Sequence, residues 1–378
     1  MQKEKVVYLI CTGRGCETKG MEKIFLSVII PTRNRANMLK LALESMAKQN
    51  LSQRSFETIV VDNGSTDKTT NVVDSFIGEL PNLRFFHEET PGLHVGRHKG
   101  LKEAKADILV YADDDIEAFP TWLKGIAESF QDKNVALVEG KTLPNFESEP
   151  PDWILDMWCP NGKGHRILGY LSILDLGQKT KAISPQHVFG CNFSIRKSVL
   201  LESGGFHPDA FPQKLIRYRG DGESHVSNYI QSKKLVTIYN PKASVYHWVP
   251  KMRMTVEYFC CRAYNQGISD SYSAVRRAQG TIPVFNKDVL TSRFKSRINR
   301  ILEIAREKAT VEIPGVIWHK IKECACIGNP QLAVIRKKIA LSYKSGHAFH
   351  QRMFKEDPKL REWVLRENYM GENGKVPV

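Results

Sequence analysis

The chain has 378 residues, 42% hydrophobic and 25% charged, the composition of an ordinary globular protein with room for one large domain and an addition. No apolar run approaches the roughly 20 residues that a membrane-spanning helix needs. The net charge of +14 calls for a polyanionic partner: nucleic acid, an anionic membrane surface or a phosphate-bearing substrate.

Lys3 and Lys5 precede a short apolar stretch, Val6 to Cys11, which is smaller than a secretory core and lacks a small-residue cleavage site. Residues 1 to 22 therefore read as an uncleaved, poorly ordered leader. The eight cysteines (11, 16, 159, 191, 260, 261, 324 and 326) are scattered without the spacing of a disulfide framework or a zinc site, so they read as reduced thiols of a cytoplasmic protein.

Residues 24 to 30 are apolar and β-branched, end at Pro31, and give way to the amphipathic stretch Met38 to Leu43, which predicts strand, loop and helix. A second strand, 58 to 61, runs into the turn Asp62-Asn63-Gly64-Ser65-Thr66-Asp67 and a helix through Phe76. A third, 83 to 86, leads through Pro91-Gly92 to a helix over 96 to 105. A fourth, 108 to 111, ends in Asp113-Asp114-Asp115. Nearly all-apolar strands alternating with helices indicate a mostly parallel sheet covered on both faces, an α/β fold that binds ligands beyond the carboxyl ends of its strands. Further strand-like segments fall at 135 to 139, 167 to 174, 188 to 195 and 235 to 239, and the pattern turns helical after Pro250.

Three adjacent carboxylates repel one another unless a cation or hydrogen bonds neutralise them. In extended chain Asp113 and Asp115 point the same way while Asp114 faces elsewhere, and hard oxygen ligands suit Mg²⁺ or Mn²⁺ shared with substrate phosphates. Asp62 sits at the end of the next strand, where a carboxylate can accept from a base imide while Thr32 and Arg35 reach base or ribose. As a local turn, 62 to 67 is equally a strand-to-helix connection with Ser65 or Thr66 as cap.

Five segments, SVIIPTRNRANML (27 to 39), IVVDNGSTDKT (59 to 69), PGLHVGRHKGLKEAKADILVYADDD (91 to 115), VFGCNFSIRKSVLLESGGFHPD (188 to 209) and GDGESHVSNYI (220 to 230), follow one another in the order found in the inverting glycosyltransferases of family 2. The chain resembles that family over roughly residues 24 to 250. The resemblance implies a GT-A fold over 23 to 250, followed by a helical region over 251 to 378. It places Pro31, Thr32, Arg35 and Asp62 around nucleobase and ribose, brings Arg97 and Asp114 to the donor, and makes Asp113 and Asp115 an Asp-x-Asp site for Mn²⁺ or Mg²⁺. Where the family usually has Ala-Arg-Asn, this chain has Gly96-Arg97-His98, so the hydrogen bonding about that arginine differs.

Inverting transfer needs a general base for the acceptor hydroxyl. The family takes it from a Glu-Asp pair before a helix, and the matching stretch here is Gly220-Asp221-Gly222-Glu223, with Glu223 in the usual position and Asp221 as its rival. The same stretch also satisfies helix capping by Asp221 with Glu223 in the first turn. His247 stands where related enzymes sometimes place a metal ligand, and Asn192 matches the acceptor-side strand. Trp153, Trp158 and His165 lie in the least family-like stretch, where aromatic faces either stack on an acceptor sugar or pack in the core.

The expected partners are a nucleotide-diphosphate sugar, with uridine the commonest base, and a saccharide or lipid-linked acceptor. The basic residues gathered between Arg293 and Lys338 give a solvated helical face or a contact with the inner face of an anionic membrane, to which Trp363, Tyr369 and Met370 would add anchors. Two other classes compete. A sugar nucleotidyltransferase would carry a glycine-rich loop after the first strand, and Pro31-Thr32-Arg33-Asn34 has none. A non-catalytic nucleic-acid binder would carry a recognition motif, and none is present, so no nucleic acid is expected.

Overall fold

Two β-sheets and the helices around them make up the computed structural model, which describes residues 25–159, 166–280 and 330–377. Strands β1 (Leu26–Thr32), β2 (Phe56–Asp62), β3 (Leu83–His87) and β4 (Ile108–Ala112) alternate with helices α1 (Ala36–Ala47), α2 (Thr69–Ser75) and α3 (Leu93–Glu103). All four strands run parallel in the order β4-β1-β2-β3. The chain steps one way from β1 to β3 and then crosses back to lay β4 on the other side of β1, which opens a crevice beyond Thr32 and Ala112.

Alternation within β1 explains why its whole length is apolar. Leu26, Val28 and Ile30 pack with Leu39, Leu43 and Met46 of α1 on one face, while Ile29 joins Ile59, Val61 and Leu101 on the other. Each such side chain contributes about 1.5–3 kcal/mol when fully buried. On α3, Gly96 and Gly100 lie one turn apart against the sheet. A Cβ on Gly100 would come 2.3 Å from Ile29, and one on Gly96 would come 2.4 Å from Asn63. The helix therefore rests directly on β1 and the β2 loop, and this fixes the height of Arg97 between the two glycines.

Four more strands extend the sheet: β6 (Val135–Glu139), β10 (Lys181–Ala182), β11 (Asn192–Arg196) and β12 (Val236–Tyr239), giving the order β10-β12-β6-β11-β4-β1-β2-β3. β11 is antiparallel to both β4 and β6, so the sheet is mixed and mostly parallel. A second, five-stranded sheet has the order β5-β13-β7-β9-β8, from β5 (Ile116–Ala118), β7 (Thr142–Phe146), β8 (Arg166–Leu168), β9 (Ile173–Asp175) and β13 (Val245–Val249). The segment expected as one strand over 167 to 174 is split by a 3₁₀ turn, Gly169–Leu171, and by Ser172 at φ 53. Between the strands lie α4 (Trp122–Ser129), α5 (Asp152–Trp158), α6 (Lys197–Glu202) and α7 (Glu223–Ser232).

After Val249 the described chain is helical: α8 (Val256–Ala278), α9 (Pro330–Glu356) and α10 (Pro358–Val364). α8 and α9 run in the same direction, since Phe259, Ala263 and Met254 meet Leu332, Ile335 and Ile339, and further along Ser271 bonds His350. Gly267 and Gly346 allow the close approach. A Cβ on Gly267 would come 2.1 Å from the Tyr343 carbonyl oxygen, and one on Gly346 would come 2.0 Å from that of Tyr264.

Several sequence expectations change here. Trp363 and Tyr369 are fully buried against Phe211, Tyr218 and Tyr272, so they stitch the helices to the sheet domain and are unavailable as membrane anchors. Trp153 and Trp158 are core residues beneath α8. Arg336, Lys337 and Lys338 are exposed on α9, whereas the leader, His165, Cys11, Cys16, Cys324, Cys326 and the basic residues from Arg293 to Lys322 lie outside the described residues. Cys159, Cys191, Cys260 and Cys261 are unpaired. Among the described residues no helix is long and apolar enough to cross a membrane.

Candidate active site

The carboxyl ends of β1 and β4 open on a cleft of about 370 Å³, lined among others by Pro31, Thr32, Arg35, Asn63, Asp113, Asp114 and Phe211. The three aspartates after β4 take three different environments. Asp113 is the accessible one, with a third of its side chain exposed. Asp114 is buried and accepts from Thr32 Oγ1 at 2.7 Å and from Arg35 Nη1 at 2.5 Å. Burial outweighs those two partners and pushes its carboxyl up to about 6. Both of its oxygens are engaged in tying the β1 loop to the β4 loop, so it supports the cleft wall and does not offer a free group to a donor.

Asp115 is the most enclosed of the three. Its Oδ2 lies 3.1 Å from Arg35 Nη2 and 3.1 Å from Arg253 Nη2. Against the burial that would raise it, His247, Arg35 and Arg253 hold this carboxyl well below the usual carboxylate range. Arg35 thus pairs with both Asp114 and Asp115 while it still lines the cleft.

The other oxygen of Asp115 tells most about what this site can hold. Asp115 Oδ1 makes no hydrogen bond although it is buried, and it faces His247 Nε2 at 3.3 Å. His247 Nδ1 is 2.9 Å from the Leu171 carbonyl, which fixes the N–H on that side and leaves the neutral ring's Nε2 as an acceptor. Arg253 bridges the pair, its Nη1 3.4 Å from His247 Nε2 and its Nη2 3.1 Å from Asp115 Oδ2, so the two acceptors face each other beside a positive charge and would also suit a metal cation. One oxygen or nitrogen from each of Asp113, Asp115 and His247 lies within 4.8 Å of the others. Two carboxylates with a histidine whose second nitrogen is anchored to a carbonyl form a donor set that fits Mn²⁺ or Mg²⁺.

On the far side of Asp113 stands Arg97, fully buried on α3. Its Nη2 is 3.8 Å from Asp113 Oδ1 and its Nη1 is 3.5 Å from Glu223 Oε2. Phe206 packs its ring face under the guanidinium at 5.0 Å, and a Cβ on Gly190 would come 2.3 Å from Nη2, so a glycine there is what lets the arginine in. Burial works against its charge, but Glu223, Asp113 and Asp209 together hold the proton on it more firmly than usual.

Glu223 opens α7 directly after Gly222, whose φ of 54 suits glycine, and a quarter of its side chain is exposed. Asp221 is in a different situation. It is buried, accepts from His207 Nδ1 at 2.7 Å and from Ser273 Oγ at 2.5 Å, and is held down to about 2 by His207 and Ser273 despite its burial. With both oxygens committed inside the protein, it is corrected from rival base to an internal anchor.

Two further expectations are corrected. Asp62 is buried, accepting from Ser65 N–H at 2.9 Å and facing His87 Nδ1 at 3.0 Å, and its neighbour Asn63 lines the cleft in its place. Asn192 is fully buried. It accepts from Trp122 Nε1 at 2.9 Å and donates to the Ala243 carbonyl at 3.0 Å, so its polar atoms serve the core and not an acceptor. Arg253 and Phe211 escaped the sequence reading. The only local signal for Arg253 was a cation six residues after His247.

Residues 27–204 match the family model described as Glycosyl transferase family 2. That segment, just under half of the chain, is a family 2 glycosyltransferase sequence. A glycosyltransferase of Haloferax volcanii, AglE, is 32% identical over 184 residues, 48% of this chain and 56% of its own length. A validoxylamine A glucosyltransferase of Streptomyces hygroscopicus subsp. jinggangensis is 36% identical over 103 residues, 27% of this chain and 24% of its own length. The chain thus spans about half the length of one of these relatives and a quarter of the other. A glucosyl-dolichyl phosphate glucuronosyltransferase, also of Haloferax volcanii, is 23% identical over 257 residues, 65% of this chain and 76% of its own length.

Among solved structures, a mannosyltransferase from Pyrobaculum calidifontis in complex with GDP-Man and Mn²⁺ superposes with a TM-score of 0.53 at 18% identity, covering 86% of each chain. That likeness shows the GT-A fold. The family match ends at Gly204, so Glu223, His247 and Arg253 lie beyond it and rest on the geometry alone.

Proposed function

We propose that the protein is a metal-dependent inverting glycosyltransferase that moves a sugar from a nucleoside diphosphate, with uridine the first base to test, to a hydroxyl of a saccharide or lipid-linked acceptor. The observation that carries this reading is that Asp113, which lines the cleft, belongs to the Asp113, Asp115 and His247 cluster on one side and meets Arg97, itself beside Glu223, on the other. The catalytic unit is residues 23 to 250, with the remaining residues, 251 to 378, as its C-terminal extension.

Asp113, Asp115 and His247 would hold Mn²⁺ or Mg²⁺, which supplies positive charge for the diphosphate as it leaves. Pro31, Thr32 and Asn63 line the wall where the nucleoside would lie. Glu223 is the general base: it is partly exposed, unlike Asp221, and stands next to Arg97 at the cleft. Displacement of the diphosphate by the deprotonated hydroxyl from the opposite face inverts the anomeric centre without a covalent intermediate. Arg97 holds Glu223 and Asp113 in one arrangement before substrate arrives, which spares the reaction that reorganisation.

The lipid-linked alternative for the acceptor is supported by the similarity to a glucosyl-dolichyl phosphate glucuronosyltransferase and by the exposed cations of α9, which suit a peripheral contact with an anionic membrane on the cytoplasmic side. The test is release of nucleoside diphosphate from a panel of UDP- and GDP-sugars with Mn²⁺ present. Turnover of one donor, with the product carrying the opposite anomeric configuration, is the expected result. Retention of configuration would refute single displacement.

A further inference from the structure

We infer that Tyr369, near the carboxyl end of the chain, is a positioning residue that sets the spacing between Arg97 and Glu223. The inference rests on the reading of Glu223 as base and extends it to a residue outside the cleft. Tyr369 is fully buried and works from two separate atoms.

Its carbonyl oxygen is 3.1 Å from His98 Nδ1. Because a carbonyl only accepts, that nitrogen carries the proton, and His98 Nε2 is left to accept from the Phe206 N–H at 2.8 Å. Burial holds the ring neutral, well below its usual range, which keeps this tautomer. His98 follows Arg97 on α3, and Phe206 is the ring beneath the Arg97 guanidinium. The backbone of Tyr369 therefore braces both supports of Arg97. A second link from the same tail reaches α3 one turn earlier, at His94, whose Nε2 is 3.3 Å from the Gly374 carbonyl.

Its hydroxyl serves the other partner. Tyr369 Oη accepts from Tyr272 Oη at 2.8 Å and donates to the Trp363 carbonyl at 2.5 Å. Tyr272 Oη is also 3.2 Å from His207 Nδ1, which donates to Asp221 at 2.7 Å, and Ser273, next to Tyr272 on α8, donates to the other oxygen of Asp221. Asp221 is two residues before Glu223, across Gly222, where the backbone has no side chain to stiffen it. Arg276 fixes the tail to α8 by donating to the Val364 and Arg366 carbonyls. One residue thus backs the helix carrying the arginine and, through Tyr272, His207 and Asp221, the loop carrying the glutamate. The Phe206–His207 backbone runs beside this link, with Phe206 N–H bonded to His98 Nε2 and His207 N–H to the Gly222 carbonyl at 3.2 Å, so Tyr369 backs a junction that is already in place.

The test is Tyr369→Phe, which keeps the ring and the carbonyl and removes only the hydroxyl, with Tyr272→Phe cutting the same link from the other side. Hydrogen exchange is read first, since it needs no substrate. Amides of 220 to 226 should exchange faster in both variants while those of β1 and β4 do not change, and the double variant should be no worse than either single one. In donor turnover with UDP-glucose, UDP-N-acetylglucosamine or GDP-mannose, kcat should fall roughly tenfold or more with donor KM held within about twofold, as expected when a reacting group is misplaced while binding is kept. Unchanged exchange at 220 to 226 would overturn the inference, as would a loss shared equally by kcat and KM. Glu223→Gln is the reference: full activity of that variant would remove the base assignment itself, whereas an inactive Glu223→Gln beside an unaffected Tyr369→Phe would remove only the role of Tyr369.

Discussion

Arg97 lies between Asp113 and Glu223, 3.8 Å from one carboxylate and 3.5 Å from the other, with its charge buried against Phe206. A buried arginine shared by two carboxylates from distant parts of the chain is costly to desolvate and gains little net stability over an apolar substitute. Its value lies in fixing where those two carboxylates stand, which is what a site for displacement at an anomeric carbon needs.

Separation of the two acids in the Gly-Asp-Gly-Glu turn leads to opposite mutational outcomes. Glu223→Gln should lower kcat by roughly 10²-fold or more, the scale of a lost general base, while donor affinity and melting temperature stay near wild type. Asp221→Asn should show the reverse emphasis. It leaves His207 and Ser273 without an ionised partner in the interior, and the expected cost is about 1–3 kcal/mol of stability by denaturant titration. An Asp221→Asn protein of native stability and no activity would exchange the two roles.

Acid should loosen the junction between the sheet domain and the C-terminal tail. Burial holds His94 down to about 3 and His98 to about 4, and for His207 burial and the adjacent His225 hold it to about 3, against an ordinary value of 6.5. Because the folded values are depressed, the unfolded chain binds protons that the fold refuses. Stability is intact above about pH 6.5 and is lost as the pH falls through that window. Asp221 adds a second loss between its ordinary value of 3.8 and about 2. Melting temperature measured from about pH 7.5 to 5 should decline, and less steeply in His98→Asn. A flat profile over that range would contradict the buried, neutral state of these rings.

The contact between α8 and α9 should tolerate no side chain at its crossing. Gly267→Ala places a methyl 2.1 Å from one backbone atom and 2.7 Å from another, neither of which can swing away. Overpacking of this kind costs about 1–3 kcal/mol, so a lower denaturation midpoint is expected, and Gly346→Ala should do the same from the facing helix. If both variants keep wild-type midpoints, the two helices are not packed as closely as described.

Much of the site's framework was legible because it is local. The all-apolar strands and their polar ends stand within 24 to 115, and strand alternation alone separates Asp113 and Asp115 from Asp114. What escaped depends on contacts across the chain. Asp62 stands at the end of β2 in sequence as the expected contact, and only the hydrogen bonds with Ser65 and His87 show that it turns inward. Asn192 matches a motif, yet its neighbours Trp122 and Ala243 come from elements far away in sequence and claim it for the core. Arg253 and Tyr369 carry no periodicity or motif at all. Their roles arise only once Asp115 and His98 are placed beside them.

The most direct test of the metal-dependent donor site is a thermal-shift titration of UDP and GDP with and without Mn²⁺, run on the wild type and on Asp115→Ala. The wild type should be stabilised by one of the two nucleotides only when Mn²⁺ is present, in proportion to the logarithm of ligand concentration, and Asp115→Ala should show no such shift. Stabilisation of equal size without the metal, or a full metal-dependent shift in Asp115→Ala, would contradict the site described here.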